Sequence, residues 1–368
     1  VTPLAPGSTI GIVGGGQLGR MLALAAARLG FRVAVLAGEA DSPAGQVSAE
    51  EIVGRYDDPA AVAELARRCD IVTFEFENIP AAVLAGLDAD GVRIAPPSRA
   101  LAISQDRLEE KTFLNGLGIP TAPFARIDSA PDIAPALERL GAPALLKTRR
   151  EGYDGKGQAW ITNASAGEAA FAAIGARPAI LEGRVRFVRE LSVIAARGWD
   201  GEVVAYPMGE NRHDHGVLRI TSAPTPLDPG TQARAHGIAR TLLDAVGYVG
   251  VIGVELFEIE DRALLVNEFA PRVHNTGHWT LDGCEVDQFE QHVRAVAGWP
   301  LGPTHAIAEV EMTNLLGDEV NDWPRLAADP AARLWLYGKR DIAPGRKMGH
   351  VNRLTPKAGQ PKDPVHEP

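Results

Sequence analysis

The sequence predicts a mixed α/β and α+β protein of several units: a doubly wound parallel sheet, a small glycine-loop unit, a larger α+β unit and a short β-rich segment. Three observations carry this. Strand-like and helix-like apolar runs alternate over the first hundred residues, as in a doubly wound sheet. A glycine-studded basic segment, residues 147–158, then lies among short strand patterns. Two apolar runs, 251–257 and 263–269, finally read as a β-hairpin with Glu255 on one arm and Glu268 on the other. At 368 residues and 45% apolar content the chain exceeds one ordinary core, so two or three domains are expected. The expected bounds are 1–106, 107–300 with the small unit at about 121–183, and 301–368.

The elements follow in order. Residues 9–13 read as strand, 17–29 as helix, 32–36 as strand, 59–68 as helix, 71–76 as strand and 80–86 as helix. Pro96 and Pro97 end the first unit, and one helical segment is expected from 98 to 117 before the breaker Gly118-Ile119-Pro120. The small unit carries strands near 144–147, 159–162 and 179–182. Helices are expected at 232–246 and 286–296, and short strands at 334–339 and 348–353 around Pro344-Gly345. Residues 355–368, Pro- and Lys-rich with almost no apolar content, are expected to fray.

A net charge of −10 argues against a nucleic-acid partner, since binding a phosphate backbone relies on Lys and Arg. The only cysteines, Cys69 and Cys284, support neither a disulfide framework nor a zinc site and fit a reducing compartment, the cytoplasm by default. The apolar stretch 21–36 is broken by Arg28 and Arg32 and no leader pattern precedes the first strand, so neither a membrane span nor a signal peptide is expected.

Several segments carry chemistry, each with a plainer alternative. Gly14-Gly15-Gly16-Gln17-Leu18-Gly19 satisfies G-x-G-x-x-G before a helix, which reads either as a dinucleotide site or as a tight turn with close helix–strand packing. Glu75 leaves a strand at the carboxyl edge, where open sheets bind ligands, or it caps a helix. The glycines of the 147–158 segment make a loop whose lysines can meet phosphate, or a basic surface hairpin; it is not a Walker loop. A turn centred on Glu260-Asp261 would pair Glu255 with Val266, making Glu255 and Glu268 diagonal neighbours on one face. Two such carboxylates call for a cation, and hard oxygen ligands favour Mg2+; the alternative is two surface acids.

Taken together, Gly14 to Met21, Gly152-Tyr153-Asp154-Gly155-Lys156-Gly157-Gln158, and the run Asn267-Glu268-Phe269-Ala270-Pro271-Arg272-Val273-His274-Asn275-Thr276-Gly277-His278-Trp279 resemble the ATP-grasp enzymes. Within them the match is to the N5-carboxyaminoimidazole ribonucleotide synthases, carboxylases of purine biosynthesis, over nearly the whole chain to about Arg353. The resemblance implies an ATP-grasp fold with a pre-ATP-grasp domain, and a reaction of ATP, bicarbonate and 5-aminoimidazole ribonucleotide through carboxyphosphate. It also implies Mg2+ and a homodimer.

By the same resemblance Arg107, Lys147 and the loop Gly152, Tyr153, Asp154, Gly155, Lys156, Gly157 and Gln158 contact the ATP phosphates as a lid. Glu182, Gly183, Arg184 and Val185 match the adenine-binding strand, and Glu190 the ribose contact. His213 matches a further nucleotide position, although a surface-turn histidine is the plainer view. Asn267 and Glu268 lie on the nucleotide, and Glu255 with Glu268 matches the metal pair. Gln17, Leu18, Glu75, Arg272, Lys339, Arg346 and Lys347 would meet the ribonucleotide, which turns the glycine motif toward substrate. Arg272, His274 and Asn275, with Tyr153, Asp154 and Lys156, would surround bicarbonate and the amine. There Arg272 would hold the anion by paired hydrogen bonds and His274 would move a proton. Glu151 is an unexpected acid before the lid glycines and should point outward or pair with Arg149 or Arg150. Another ATP-grasp ligase such as a formate-dependent glycinamide ribonucleotide transformylase, an NAD-dependent oxidoreductase, or a nucleotide sensor are the competing functions.

Overall fold

The computed structural model describes residues 1–152 and 155–356, and three sheets form within them. The expected fraying over 355–368 and the roles given to Tyr153 and Asp154 fall largely or wholly outside the described residues. The first sheet holds β1 (Thr9–Val13), β2 (Arg32–Ala37), β3 (Glu50–Val53) and β4 (Ile71–Phe74) in the order β3-β2-β1-β4, all parallel. Helices α1 (Gln17–Arg28), α2 (Pro59–Ala66) and α3 (Ala81–Ala89) connect or follow these strands. The short strand β3 carries no alternating apolar pattern in Glu50-Glu51-Ile52-Val53, which is why periodicity alone passes over it.

The helical segment expected at 98–117 is two helices, α4 (Ser98–Ser104) and α5 (Arg107–Gly116). The break is Asp106, whose carboxylate accepts from the amides of Leu108 and Glu109 and so caps a new helix. The small unit follows: β5 (Phe124–Ile127), α6 (Ile133–Leu140), β6 (Ala144–Thr148), β7 (Gln158–Ile161), α7 (Gly167–Ala173) and β8 (Ala179–Gly183). Its sheet order is β5-β8-β6-β7, and its own core gathers Ile127, Leu137, Leu146 and Leu181.

The third sheet is the largest. It holds β9 (Arg189–Arg197), β10 (Val203–Ala205), β11 (Gly209–Asp214), β12 (Val217–Ala223), β13 (Gly250–Glu258) and β14 (Leu264–Ala270). Helices α8 (Pro229–Ala245), α9 (Thr280–Gly283), α10 (Gln288–Ala297) and α11 (Trp323–Ala327) accompany it. The chain beyond residue 300 adds β15 (Ala308–Leu316), β16 (Ala332–Leu336) and β17 (Lys347–Pro356) to the same sheet, in the order β14-β13-β9-β11-β12-β15-β17-β16 with β10 on β9. The C-terminal strands therefore extend the central sheet, and β17 is a ten-residue strand where a short one was expected. The strand expected at 334–339 stops at Leu336, before Gly338, which takes φ +70°.

The hairpin of β13 and β14 departs from the expected register. Its loop is one residue longer than a two-residue turn, because Ile259 pairs with Ala263 and Arg262 adopts φ +61°. A bulge then leaves Asn267 without a ladder partner: Leu256 faces Val266, but Glu255 faces Glu268. The acids are thus directly opposed rather than diagonal, and still share one face. The first and central sheets meet through one continuous core in which Leu18, Met21 and Leu22 of α1 join Phe289, Val293 and Val296 of α10. No helix among the described residues is long and apolar enough to cross a membrane.

Candidate active site

A cavity of about 740 Å³ opens where the three sheets converge. It runs from Gln17, Leu18 and Glu75 at the first sheet, past Glu255, Glu268, Arg272 and His274, to Trp160 and Phe187 beside the small unit. Arg107, Lys147, Gly152, Gly155, Lys156, Gln158, Glu182 to Val185, Glu190, His213, Asn267 and Lys347 also line it. One space thus collects most of the side chains that the sequence placed in two separate half-sites.

At its centre the carboxylates of Glu255 and Glu268 face each other across β13 and β14. Burial and the facing Glu268 charge push the Glu255 carboxyl up. Burial acts the same way on Glu268, but the guanidinium of Arg107, donating at 2.6 Å, outweighs it and holds Glu268 down. One member of the pair is therefore primed for protonation and the other stays charged. Two hard-oxygen donors with phosphate and water completing the shell is a donor set suited to Mg2+. The pair fits a cation, and no third protein donor is required.

Lysines and arginines ring the small-unit side. Lys147 donates to the Glu182 carboxylate at 2.9 Å, and Lys111 lies 3.5 Å from its other oxygen. Burial alone would raise the Glu182 pKa; the two lysines turn it downward. Strand β8 pairs with β5 as far as Glu182 and with β6 as far as Gly183, leaving Arg184 and Val185 just past the paired residues. His213 contacts Glu190 at 2.5 Å, and this contact reverses the lowering that burial imposes on the imidazole. The glycine loop leaves β6 and returns as β7: Gly152 carbonyl accepts from Arg107 at 3.1 Å, and Thr148 amide donates to Gly157 carbonyl at 2.8 Å. Gly155 and Gly157 take φ +78° and +68°, and a Cβ on Gly155 would lie 2.8 Å from the His215 carbonyl. Glu151 is exposed and pairs with Arg177 at 3.2 Å, while Arg149 and Arg150 bind Asp106.

At the first sheet, Glu75 accepts from the amides of Gly16 at 2.6 Å and Gly19 at 2.9 Å. A Cβ on Gly16 would lie 2.5 Å from that carboxylate, so the glycines serve this close approach. Glu75 thus caps α1, and it also lines the cavity. Its carboxyl group takes up the helix-end amides that a dinucleotide pyrophosphate would need, which disfavours the oxidoreductase reading. Glu77, three residues past the strand, accepts from Arg272 Nε at 2.5 Å. Burial opposes the Arg272 charge, and Glu77 outweighs it to raise the guanidinium pKa.

Two expected contacts change character. His274 is held by its backbone to Gln288, and Gly253 beneath it admits the ring because a Cβ there would lie 2.6 Å from the His274 Cβ. Burial, then Arg272, lowers its pKa to about 3, so the ring is neutral. Nδ1 meets the Thr276 hydroxyl at 2.8 Å and the Thr276 amide at 3.4 Å, and Nε2 lies 3.7 Å from Glu255. The neutral ring keeps one basic nitrogen, but its lowered pKa makes it a weak base in the ligand-free cavity. Asn275 lines the cavity, but its amide is committed to a reciprocal pair with Asn314 at 3.1 and 2.6 Å, which makes it a strut.

Of the three C-terminal cations, Lys347 reaches the cavity. Lys339 donates to the Lys347 carbonyl at 2.6 Å and supports it from behind. Arg346 turns to the Asp341 carbonyl at 3.0 Å and is not among the lining residues. Four residues escape the sequence patterns: Glu77, Glu110, Lys111 and Trp160. Arg272's need for a buried counter-charge could have pointed to Glu77; Glu110 and Lys111 look like ordinary helical charges.

Comparison with known proteins accords with this geometry. Residues 8–105 match a ribonucleotide synthetase preATP-grasp domain, 112–289 an ATP-grasp domain, and 311–362 a phosphoribosylaminoimidazole carboxylase C-terminal domain. The chain is similar to the N5-carboxyaminoimidazole ribonucleotide synthase of Brucella melitensis, 50% identical over 97% of this chain and 99% of that protein. It belongs to the N5-carboxyaminoimidazole ribonucleotide synthase family. Among solved synthases, the Staphylococcus aureus enzyme complexed with ADP superposes with TM-score 0.92 at 36% identity, covering 96% of this chain and 95% of that one. The Aspergillus clavatus synthase in complex with ADP and 5-aminoimidazole ribonucleotide gives 0.89 at 32% identity, covering 95% and 94%. The synthase family therefore accounts for both the fold and the three-sheet cavity.

Proposed function

We propose that this chain catalyses the ATP- and bicarbonate-dependent carboxylation of 5-aminoimidazole ribonucleotide to N5-carboxyaminoimidazole ribonucleotide, releasing ADP and phosphate. The observation that carries this is the single cavity in which a nucleotide-side set of cations and a ribotide-side set meet at Arg272. A bicarbonate oxygen attacks the γ-phosphorus, ADP leaves, and carboxyphosphate forms; the substrate amine then takes the carboxyl carbon and phosphate leaves. Such phosphoryl transfer needs alignment and charge neutralisation more than a strong base.

Each residue has a physical task. Lys147, Arg107 and Lys156 face the phosphates, and the loop from Gly152 to Gln158, with Tyr153 and Asp154, closes over them to exclude water. Arg184 and Val185 present backbone groups to the adenine edge, with Glu190 and His213 on the ribose. Glu255 and Glu268, beside Asn267, would hold Mg2+, which when bound neutralises phosphate charge. Arg272 spends two of its roughly five N–H donors on Glu77 and Val273 and can offer others to bicarbonate or carboxyphosphate. Gln17, Leu18 and Glu75 meet the ribotide at the glycine turn, and Lys347, backed by Lys339, meets its phosphate. The same reading takes the enzyme to be a cytoplasmic homodimer, for which sedimentation of the purified chain is the check.

The test is substrate dependence of ADP release. Turnover should require ATP, Mg2+, bicarbonate and 5-aminoimidazole ribonucleotide together. Equal turnover with formate and glycinamide ribonucleotide would assign the chain to a different ligase.

A further inference from the structure

The bulge that sets Glu268 opposite Glu255 is held from outside the sheet. Strand β14 is an edge of the nine-stranded sheet, and Asn267 has no ladder partner on β13. An edge strand with an unpaired residue has backbone groups that must be satisfied by something else. Helix α5 supplies it. Lys111 Nζ donates to the Asn267 carbonyl at 3.0 Å, Arg107 donates to the Glu268 carboxylate at 2.6 Å, and the Phe269 amide donates to Glu110 at 2.7 Å. Positions 107, 110 and 111 share one helical face, so one face of α5 grips three consecutive residues of β14. Glu110 and Lys111 are 2% and 1% exposed, so these bonds are shielded from competing water.

We propose that Glu110 and Lys111 are positioning residues, which pin the β14 bulge by its backbone and so set Glu268 opposite Glu255 to receive the cation. The proposal rests on the reading of Glu255 and Glu268 as the Mg2+ pair. Neither positioning residue need touch the metal or the nucleotide. Continued without the bulge from Leu256 and Val266, the ladder would pair Glu255 with Asn267 and turn Glu268 to the other face of the sheet, away from Glu255.

The test compares Glu110→Ala, which removes the acceptor, with Glu110→Gln, which keeps an oxygen for the Phe269 amide. Two readouts are independent of turnover: calorimetric ADP binding as a function of Mg2+, and hydrogen exchange of the 264–270 segment in the ligand-free protein. Glu110→Ala should raise the Mg2+ half-saturation about tenfold or more and speed Phe269 exchange, with Glu110→Gln within about threefold of wild type. Should Glu110→Ala not fold, Lys111→Met, which keeps the stem but drops the donor to Asn267 together with the cation 3.5 Å from Glu182, carries the comparison, with exchange of the 264–270 segment separating the strand from Glu182. Equal Mg2+ responses in wild type, Glu110→Ala and Lys111→Met overturn the positioning role alone. A wild-type protein whose ADP affinity ignores Mg2+ contradicts instead the metal reading of the pair beneath it.

Discussion

Glu255 and Glu268 look alike in sequence yet differ in what they can lose. Glu268 carries the partner of buried Arg107, whereas Glu255 faces mainly another acid. Replacing Glu255 by Gln should relieve repulsion and leave the metal-free protein as stable as wild type or more so. Glu268→Gln should cost about 1–3 kcal/mol, because the Arg107 guanidinium keeps only a weakened partner. Both should lower Mg2+-dependent turnover by roughly a hundredfold or more. Thermal melts beside initial rates separate the two effects, and equal melting shifts for both variants would contradict this asymmetry. The acids and their shared face were legible from alternation, but their direct opposition was not. It depends on a left-handed Arg262 and on a bulge gripped by residues more than a hundred positions away, and neither leaves a local pattern.

At the scale of elements, the glycine loop and β17 close opposite ends of the cavity. Gly155 takes φ +78° against the His215 carbonyl, so Gly155→Ala should strain the loop by about 1 kcal/mol or more. Its expected signature is a raised KM for MgATP with the ribotide KM unchanged; an unmoved ATP KM would detach the loop from nucleotide binding. Lys347 lies at the other end, on β17. Lys347→Ala should weaken the ribotide about tenfold while leaving ATP within about twofold, and steady-state kinetics with each substrate varied would expose the reverse. Helix and strand periodicity located most of these elements. It failed at β3, where two glutamates hide a strand, and at Asp106, whose capping role splits a helix that composition alone runs together. It also read β17 as short, because pairing with β15 and β16 across the sheet supplies what local propensity does not.

Across the whole molecule, buried neutral histidines tie the units together. His292 on α10 bonds Thr73 of β4 at 2.8 Å and accepts the Val251 amide of β13 at 3.1 Å, joining the first and central sheets. His350 on β17 lies 2.8 Å from the Tyr337 hydroxyl. Burial lowers both pKa values to about 3. Below the ordinary histidine pKa of about 6.5 the unfolded chain binds protons that these folded rings refuse, so their contribution is full above that pH and lost as pH falls toward 3. The stability gap between wild type and His350→Gln should therefore shrink by about 2 kcal/mol between about pH 6.5 and 5. Denaturant melts at the two pH values measure it, and a gap independent of pH would contradict neutral burial. The ordering of units was readable because motifs of different chemistry occur in sequence; the meeting of the half-sites in one cavity was not, since it is made by the junction of three sheets. In the proposed reaction bicarbonate sits at that junction, between nucleotide and ribotide, and an isotope follows it most directly. With oxygen-18-labelled bicarbonate, one labelled oxygen should pass into each phosphate released, in step with ADP. Phosphate free of the label would contradict carboxyphosphate formation.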